Sequence, residues 1–204
     1  MVLTKNQTNR DRQAVATKSK IYRCGVQLIN QYGYDHITVA QIAKKAGVSI
    51  GTFYHHFQSK FDLMVEIYRL GDVFFSERVP ALLAQNNSLP AQIVEYFCLY
   101  AQLSLQNGID MVRSLYVPTN QMFISHGRAM QDMLTNMLQN GQQQGTLSAT
   151  LPAQQITEKL FVVARGVIFD WCLHNGETDL LAEMRDIMQR QVGSYLVLPA
   201  SLGS

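Results

Sequence analysis

The stretch from Thr38 to Lys60, "TVAQIAKKAGVSIGTFYHHFQSK", restricts the folds open to this chain more than any other segment. Thr38 and Gln41 stand three apart, just ahead of the small apolar face formed by Ile42, Ala43 and Ala46. That spacing is a capping box: the threonine hydroxyl takes a free first-turn amide while the glutamine reaches back to the threonine amide. Gly47 permits the positive φ of a sharp turn. Val48 can plug the corner behind it, and Ser49 can cap a second short helix. Two short helices joined by one glycine turn read as a helix-turn-helix.

Five rings in a row, Phe53 to Phe57, occupy the second of these helices. Phe53 and Phe57 are four apart and share a face, which fits them for a core. Thr52, Tyr54, His55 and His56 cannot all join them inside. Neighbouring His55 and His56 project about 100° apart on a helix, too divergent to chelate one metal ion. Neither has an adjacent nucleophile or carboxylate for catalysis. A polar, ring-bearing face on the second helix of such a motif is the arrangement that enters a DNA major groove. Gly51 would let the backbone come close to the DNA. Lys60, placed by sequence in the first turn of the next helix, would meet a phosphate there.

Charge supports the same direction. Residues 1–70 carry ten Lys/Arg against four Asp/Glu, a net +6, whereas residues 71–204 carry seven against eleven, a net −4. A basic first third on an acidic remainder suits one segment to a polyanion, although an unevenly charged, solvated surface accounts for it equally. At 47% hydrophobic and 16% charged residues the chain has the balance of a folded soluble protein. No apolar run is long enough to span a bilayer. The N-terminus lacks the apolar core of a signal peptide, which points to the cytoplasm and away from membranes. Cys24, Cys98 and Cys172 are odd in number, far apart and match no zinc spacing, as expected of small, reduced core residues.

Elsewhere every segment reads as helix, with no period-two alternation and no internal repeat. The expected fold class is all-α, with about nine helices. The first starts at Asn9 or Asp11 and stops at Gly33, and the fourth is capped by Ser59. Pro80 and the "QNNSLP" segment should break the pattern. Further helices are expected over about 91–106, 109–116, 125–144, 152–174 and 178–196, with Pro152 and Thr178 opening the last two. The domain joint falls near residue 70, which gives domains of 1–70 and 71–204.

The residues "TVAQIAKKAGVSIGTFYHHFQSKFDL", and strongly the whole span from about Ile21 to Leu70, resemble the N-terminal domain of tetracycline-repressor-like (TetR family) transcriptional regulators. The family pattern usually has alanine where this chain has Gly25. The resemblance implies that Thr38, Tyr54, His56 and Lys60 hold phosphates. It implies that Ser49, Ile50, Gly51, Thr52 and His55 approach base edges, where sequence is read. It also implies a double-stranded DNA operator as partner, and a divergent regulatory and dimerisation part in residues 71–204. The penultimate helix is apolar nearly all round and must be covered on several sides. With the last helix, in the family, it pairs with its copy in a second subunit. Candidate interface residues are Val163, Val167, Trp171, Leu181, Met184 and Met188. Two recognition helices in major grooves about 34–36 Å apart also require a homodimer on a palindromic site.

The middle helices are candidates for an effector pocket, with Tyr96, Tyr100, Met122, Phe123, Met133 and Phe169 as lining. Adaptable methionine beside aromatic rings suits an apolar ligand of loosely specified shape, and plain core explains the same residues as well. Asp170 and His174, four apart, could share a metal but lack further ligands nearby. The sequence therefore reads as a ligand-responsive repressor released by a small, largely apolar molecule, with the fourth helix as lever. A second reading keeps the DNA binding and makes the C-terminal part a structural dimeriser or a protein-binding module. No catalytic grouping, phosphate loop, cofactor motif or metal motif appears, so no enzyme activity and no cofactor are expected.

Overall fold

The computed structural model describes residues 8–85, 88–118, 120–125 and 127–197. Among these residues the fold is all-α, with nine α-helices and two 3₁₀ turns. The chain divides into two compact units between Tyr68 and Arg69.

In the first unit α1 spans Asn9–Tyr32. Its cap lies one residue earlier than the sequence suggests. Thr8 accepts from the Asp11 amide at 3.2 Å, while the Asp11 carboxylate accepts from the Thr8 amide at 3.0 Å. The helix ends at Gly33, whose φ of +81° is open chiefly to glycine. Tyr34–His36 form a 3₁₀ turn before α2, Val39–Ala46, and α3, Ile50–His56. Gly47 joins them with φ +63°, as its place after Ala46 demands. Ile21, Ile29, Ile42, Ala43, Ala46, Phe53, Phe57 and Leu63 are buried into one small core. Burying a ring such as Phe53 contributes roughly 2–3 kcal/mol. Gly25 has a local reason: a Cβ there would lie 2.7 Å from Leu63 Cδ1, so the missing methyl lets α1 lie close to the fourth helix.

That helix, α4, spans Asp62–Leu83 and passes through the boundary between the units. It also passes through Pro80, contrary to the expected break. Pro80 sits on the exposed face, as does Ser76, so the carbonyl that Pro80 cannot serve can be solvated.

The second unit holds the rest of α4 with α5 (Leu89–Asn107), α6 (Ile109–Arg113), α7 (Ala129–Gln143), α8 (Ala153–Leu173) and α9 (Leu180–Gly193). Asp179, rather than Thr178, caps α9 by accepting from the Leu181 and Ala182 amides. α5 packs on α9, and α8 packs on both α7 and α9. Phe75, Tyr96, Phe97 and Phe161 form a ring cluster at the centre, with centroids 4.7–6.5 Å apart. An isolated antiparallel bridge joins Leu147 to Leu196. There the Ser148 amide donates to the Tyr195 carbonyl and the Val197 amide to the Thr146 carbonyl.

Candidate nucleic-acid interface and ligand cavity

The helix-turn-helix is built as the cap signals require. Thr38 accepts from the Gln41 amide at 3.2 Å, and Gln41 Oε1 accepts from the Thr38 amide at 2.7 Å. Ser49 accepts from the Thr52 amide at 3.0 Å, and the two hydroxyls lie 2.8 Å apart. With Phe53 and Phe57 drawn into the core, α3 turns Ser49, Ile50, Gly51, Tyr54 and His55 to solvent. The Tyr54 ring meets the edge of Phe53 at 5.6 Å and is still half exposed. Only serine's own hydroxyl approaches the space a Gly51 Cβ would fill, so that side of α3 is open. Thr38 is exposed, whereas Thr52 and His56 are half-buried.

His55 and His56 lie edge to face at 5.1 Å. The His56 pKa is lowered from the ordinary 6.5, first by burial and then by His55 and the Lys18 ammonium. Lys18 is itself held by Glu66 at 2.7 Å, and Glu66 is almost fully buried. Burial and that carboxylate push the neighbouring Tyr22 hydroxyl well up.

Lys60 departs from its expected placement. It precedes α4 and points back, with Nζ donating to the carbonyls of Tyr34 at 2.6 Å and Ile37 at 3.0 Å. The ammonium sits 4.2 Å from the Tyr34 ring centroid. Carbonyls at the end of a 3₁₀ turn lack amide partners of their own, and the lysine supplies one.

In the second unit the structure separates the six pocket candidates. Tyr96 is core: it is fully buried and its hydroxyl donates to the Met130 carbonyl. Tyr100 lies edge-on to Phe161, and burial raises its pKa. Met122 and Met133 are half-buried. Phe169 is exposed and its ring lies tilted against Tyr116, which in turn lies tilted against Phe123. Of the six, Phe123 alone lines a cavity of about 480 Å³ between α7, α8 and the segment before α7. Residues without an apolar signature complete that cavity. Asp132 and Glu158 flank it, and Thr135 and Thr157 meet within it at 2.9 Å. Arg165 also lines it, with its guanidinium 5.6 Å from the Phe123 ring and donating to the Phe123 carbonyl. A search for apolar stripes passes over such residues. The available signal was two threonines on helix faces otherwise suited to packing.

The interface candidates divide too. Met184 and Met188 are fully buried in the subunit because α9 lays them against its own core, so they cannot face a partner. Val167 and Trp171 are largely buried, and Val163 and Leu181 partly so. Val163, Val167 and Trp171 nonetheless line a groove of about 270 Å³ with Ile187, between α8 and the start of α9. The open apolar surface of α8 is Val162, Phe169 and Leu173. Asp170 and His174 form an exposed pair at 3.3 Å, and no group of three metal-binding side chains occurs among the described residues.

Near its start, α7 is tied to α4. Asp72 Oδ1 accepts from the Met130 amide at 3.2 Å and faces Arg128 Nη2 at 3.4 Å. No helix among the described residues is long and apolar enough to cross a membrane.

Comparison with known proteins agrees with this layout. Residues 21–67 match the family model for bacterial regulatory proteins of the tetR family. The fatty acid metabolism regulator protein of Bacillus subtilis (strain 168) is 24% identical over 180 residues, covering 83% of this chain and 91% of the relative. The HTH-type transcriptional regulator AcrR of Shigella flexneri is 24% identical over 199 residues, covering 92% and 93%. The fold is similar to that of the transcriptional regulator FadR from Bacillus subtilis, solved in complex with stearoyl-CoA. There the TM-score is 0.72 at 20% identity, covering 85% of this chain and 97% of that one. The capped helix-turn-helix thus lies in the segment that matches the tetR family of bacterial regulatory proteins, with a separate helical unit after it.

Proposed function

We propose that this chain is a ligand-responsive repressor that binds a palindromic operator as a homodimer in the cytoplasm, with residues 1–70 reading DNA and residues 71–204 regulating and dimerising. The observation that carries the reading is the open face of α3, where Ser49, Ile50, Gly51, Tyr54 and His55 stand exposed behind two capped helices. Ser49, Ile50, Gly51, Thr52 and His55 approach base edges, while Thr38, Tyr54 and His56 hold phosphates and set the register. Lys60 serves two carbonyls, and the third N–H of its ammonium is the one left for a phosphate.

A small effector acts by binding two arrangements of the dimer unequally, so that DNA affinity falls. The cavity beside α7 supports this over a purely structural C-terminal unit. A route follows from named contacts: α7 lines the cavity, Asp72 ties the start of α7 to α4, and α4 runs on without a break towards the DNA-binding unit. Because the similar FadR binds stearoyl-CoA, long-chain acyl-CoA is the first effector class to try.

The test is selection of bound fragments from the source genome by purified protein at fixed physiological salt, repeated with acyl-CoA of graded chain length. One enriched palindrome, lost on addition of a chain of suitable length, is the expected result. Binding with no sequence preference would overturn the reading of α3. A palindrome that no acyl-CoA releases would remove that effector class.

A further inference from the structure

The exposed face of α3 is narrow, and one side chain on it differs in chemistry from its neighbours. Ile50, Gly51, Tyr54 and His55 fall within an arc of about 140° around the helix, and all four are exposed. Tyr54 and His55 carry polar atoms and Gly51 carries no side chain. Ile50 is the one aliphatic residue among them, and it is 51% exposed. It is the first residue of α3, and the leading residues of such a helix are the ones that meet base edges. The cap fixes its place: Ser49 accepts from the Thr52 amide at 3.0 Å, and the two hydroxyls lie 2.8 Å apart across that first turn. Next to Ile50, a Cβ on Gly51 would meet only Ser49 Oγ, at 3.7 Å. The backbone can therefore descend towards the bases at Gly51, which brings a short branched side chain beside it within reach of them.

Resting on the proposed role of α3 as the reading helix, we infer that Ile50 reads the 5-methyl group of a thymine in each operator half-site. The base edges of a major groove present ring nitrogens, carbonyl oxygens and amines, together with one apolar group, the thymine methyl. Isoleucine pressed on the polar groups would strip their water and return no hydrogen bond, which costs free energy. On the methyl it buries apolar surface from both sides and leaves no polar atom unpaired. Ile50 thus selects thymine by contact, while Thr52 and His55 have polar atoms with which to read other edges.

Uracil in place of thymine tests this, because it keeps every hydrogen-bonding group and lacks only the methyl. The selected operator is resynthesised without methylated cytosine, with each thymine replaced in turn, and titrated with full-length protein at fixed physiological salt. Uracil at one position of a half-site should weaken binding about fourfold, and about fifteenfold when placed in both half-sites, as the burial of one methyl at each predicts. Ile50→Ala should weaken binding to the thymine operator and bring the thymine-to-uracil ratio at that position close to one. Ile50→Val should keep most of the ratio. His55→Ala should lower affinity yet leave the ratio at about fourfold, which a general loosening of α3 would not do. Full affinity for every uracil operator, or a ratio that survives in Ile50→Ala, would overturn the inference and leave α3 as the reading helix. Failure to select any operator would overturn the reading of α3 itself, and the role of Ile50 with it.

Discussion

Lys60 illustrates how one side chain can be read as basic while its partners in the fold stay hidden in the sequence. Its ammonium closes the turn from Tyr34 to Ile37, directly ahead of the Thr38 cap. Lys60→Ala should therefore lower the melting temperature as well as operator affinity. If the lysine leaves its carbonyls for a phosphate when DNA binds, the salt dependence of binding should also flatten by about one counterion. Measuring affinity at several salt concentrations together with thermal melting separates the two roles. His56 gives a pH signature. Its folded-state pKa lies below the ordinary 6.5, so the unfolded chain takes up the proton first as pH falls. Its contribution to stability is complete above about pH 6.5 and is lost as pH falls from there through the lower folded value. A phosphate contact would favour the protonated ring and reverse the trend for binding. Operator affinity should then rise between about pH 7.5 and 6, and His56→Gln should remove that rise. A flat profile in the unaltered protein would take His56 out of the phosphate contacts.

Among the elements, α7 is the most constrained. Gly141 is buried on it, and a Cβ there would lie 2.2 Å from Leu89 Cδ2 and 2.9 Å from Leu147 Cδ1. Gly141→Ala should thus destabilise the protein by about 1–3 kcal/mol despite alanine's better helix propensity, as a denaturant melt would show. At the other end of α7, Asp72→Ala removes the acceptor for the Met130 amide. That variant should still bind operator but respond less to effector, which a release assay at matched occupancy would read. The second and third helices and their caps were legible in sequence because each rests on local chemistry: a capping box, a glycine turn, a serine cap. What sequence could not reach depends on partners distant in the chain. Pro80 looks like a stop until Ser76 and Pro80 are both seen to face solvent. The α7–α8 cavity looks like nothing at all, because Thr135 and Thr157 stand 22 residues apart.

At the scale of the whole molecule, the proposed homodimer needs an apolar surface that a second copy can cover. Met184 and Met188 looked suitable by periodicity, yet periodicity cannot distinguish a face turned to the subunit's own core from one turned to a neighbour. Burial does. Val162 and Leu173 are 60% and 63% exposed, whereas Met184 is fully buried. The double variant Val162→Glu, Leu173→Glu should fold normally and run as a monomer in sedimentation, with operator binding lost. Met184→Glu should fail to fold, since an unpaired charge in the core costs several kcal/mol. A charged α8 that still gives dimers would move the interface elsewhere. The bridge between Leu147 and Leu196 has a consequence of another kind. The amides of Ser148 and Val197 lie outside any helix, yet each is bonded across the closure at the end of α9. In deuterated solvent they should exchange far more slowly than other amides of their loops, at a rate set by how often that closure opens. Two otherwise unremarkable amides would then report the lifetime of the whole regulatory unit's seal.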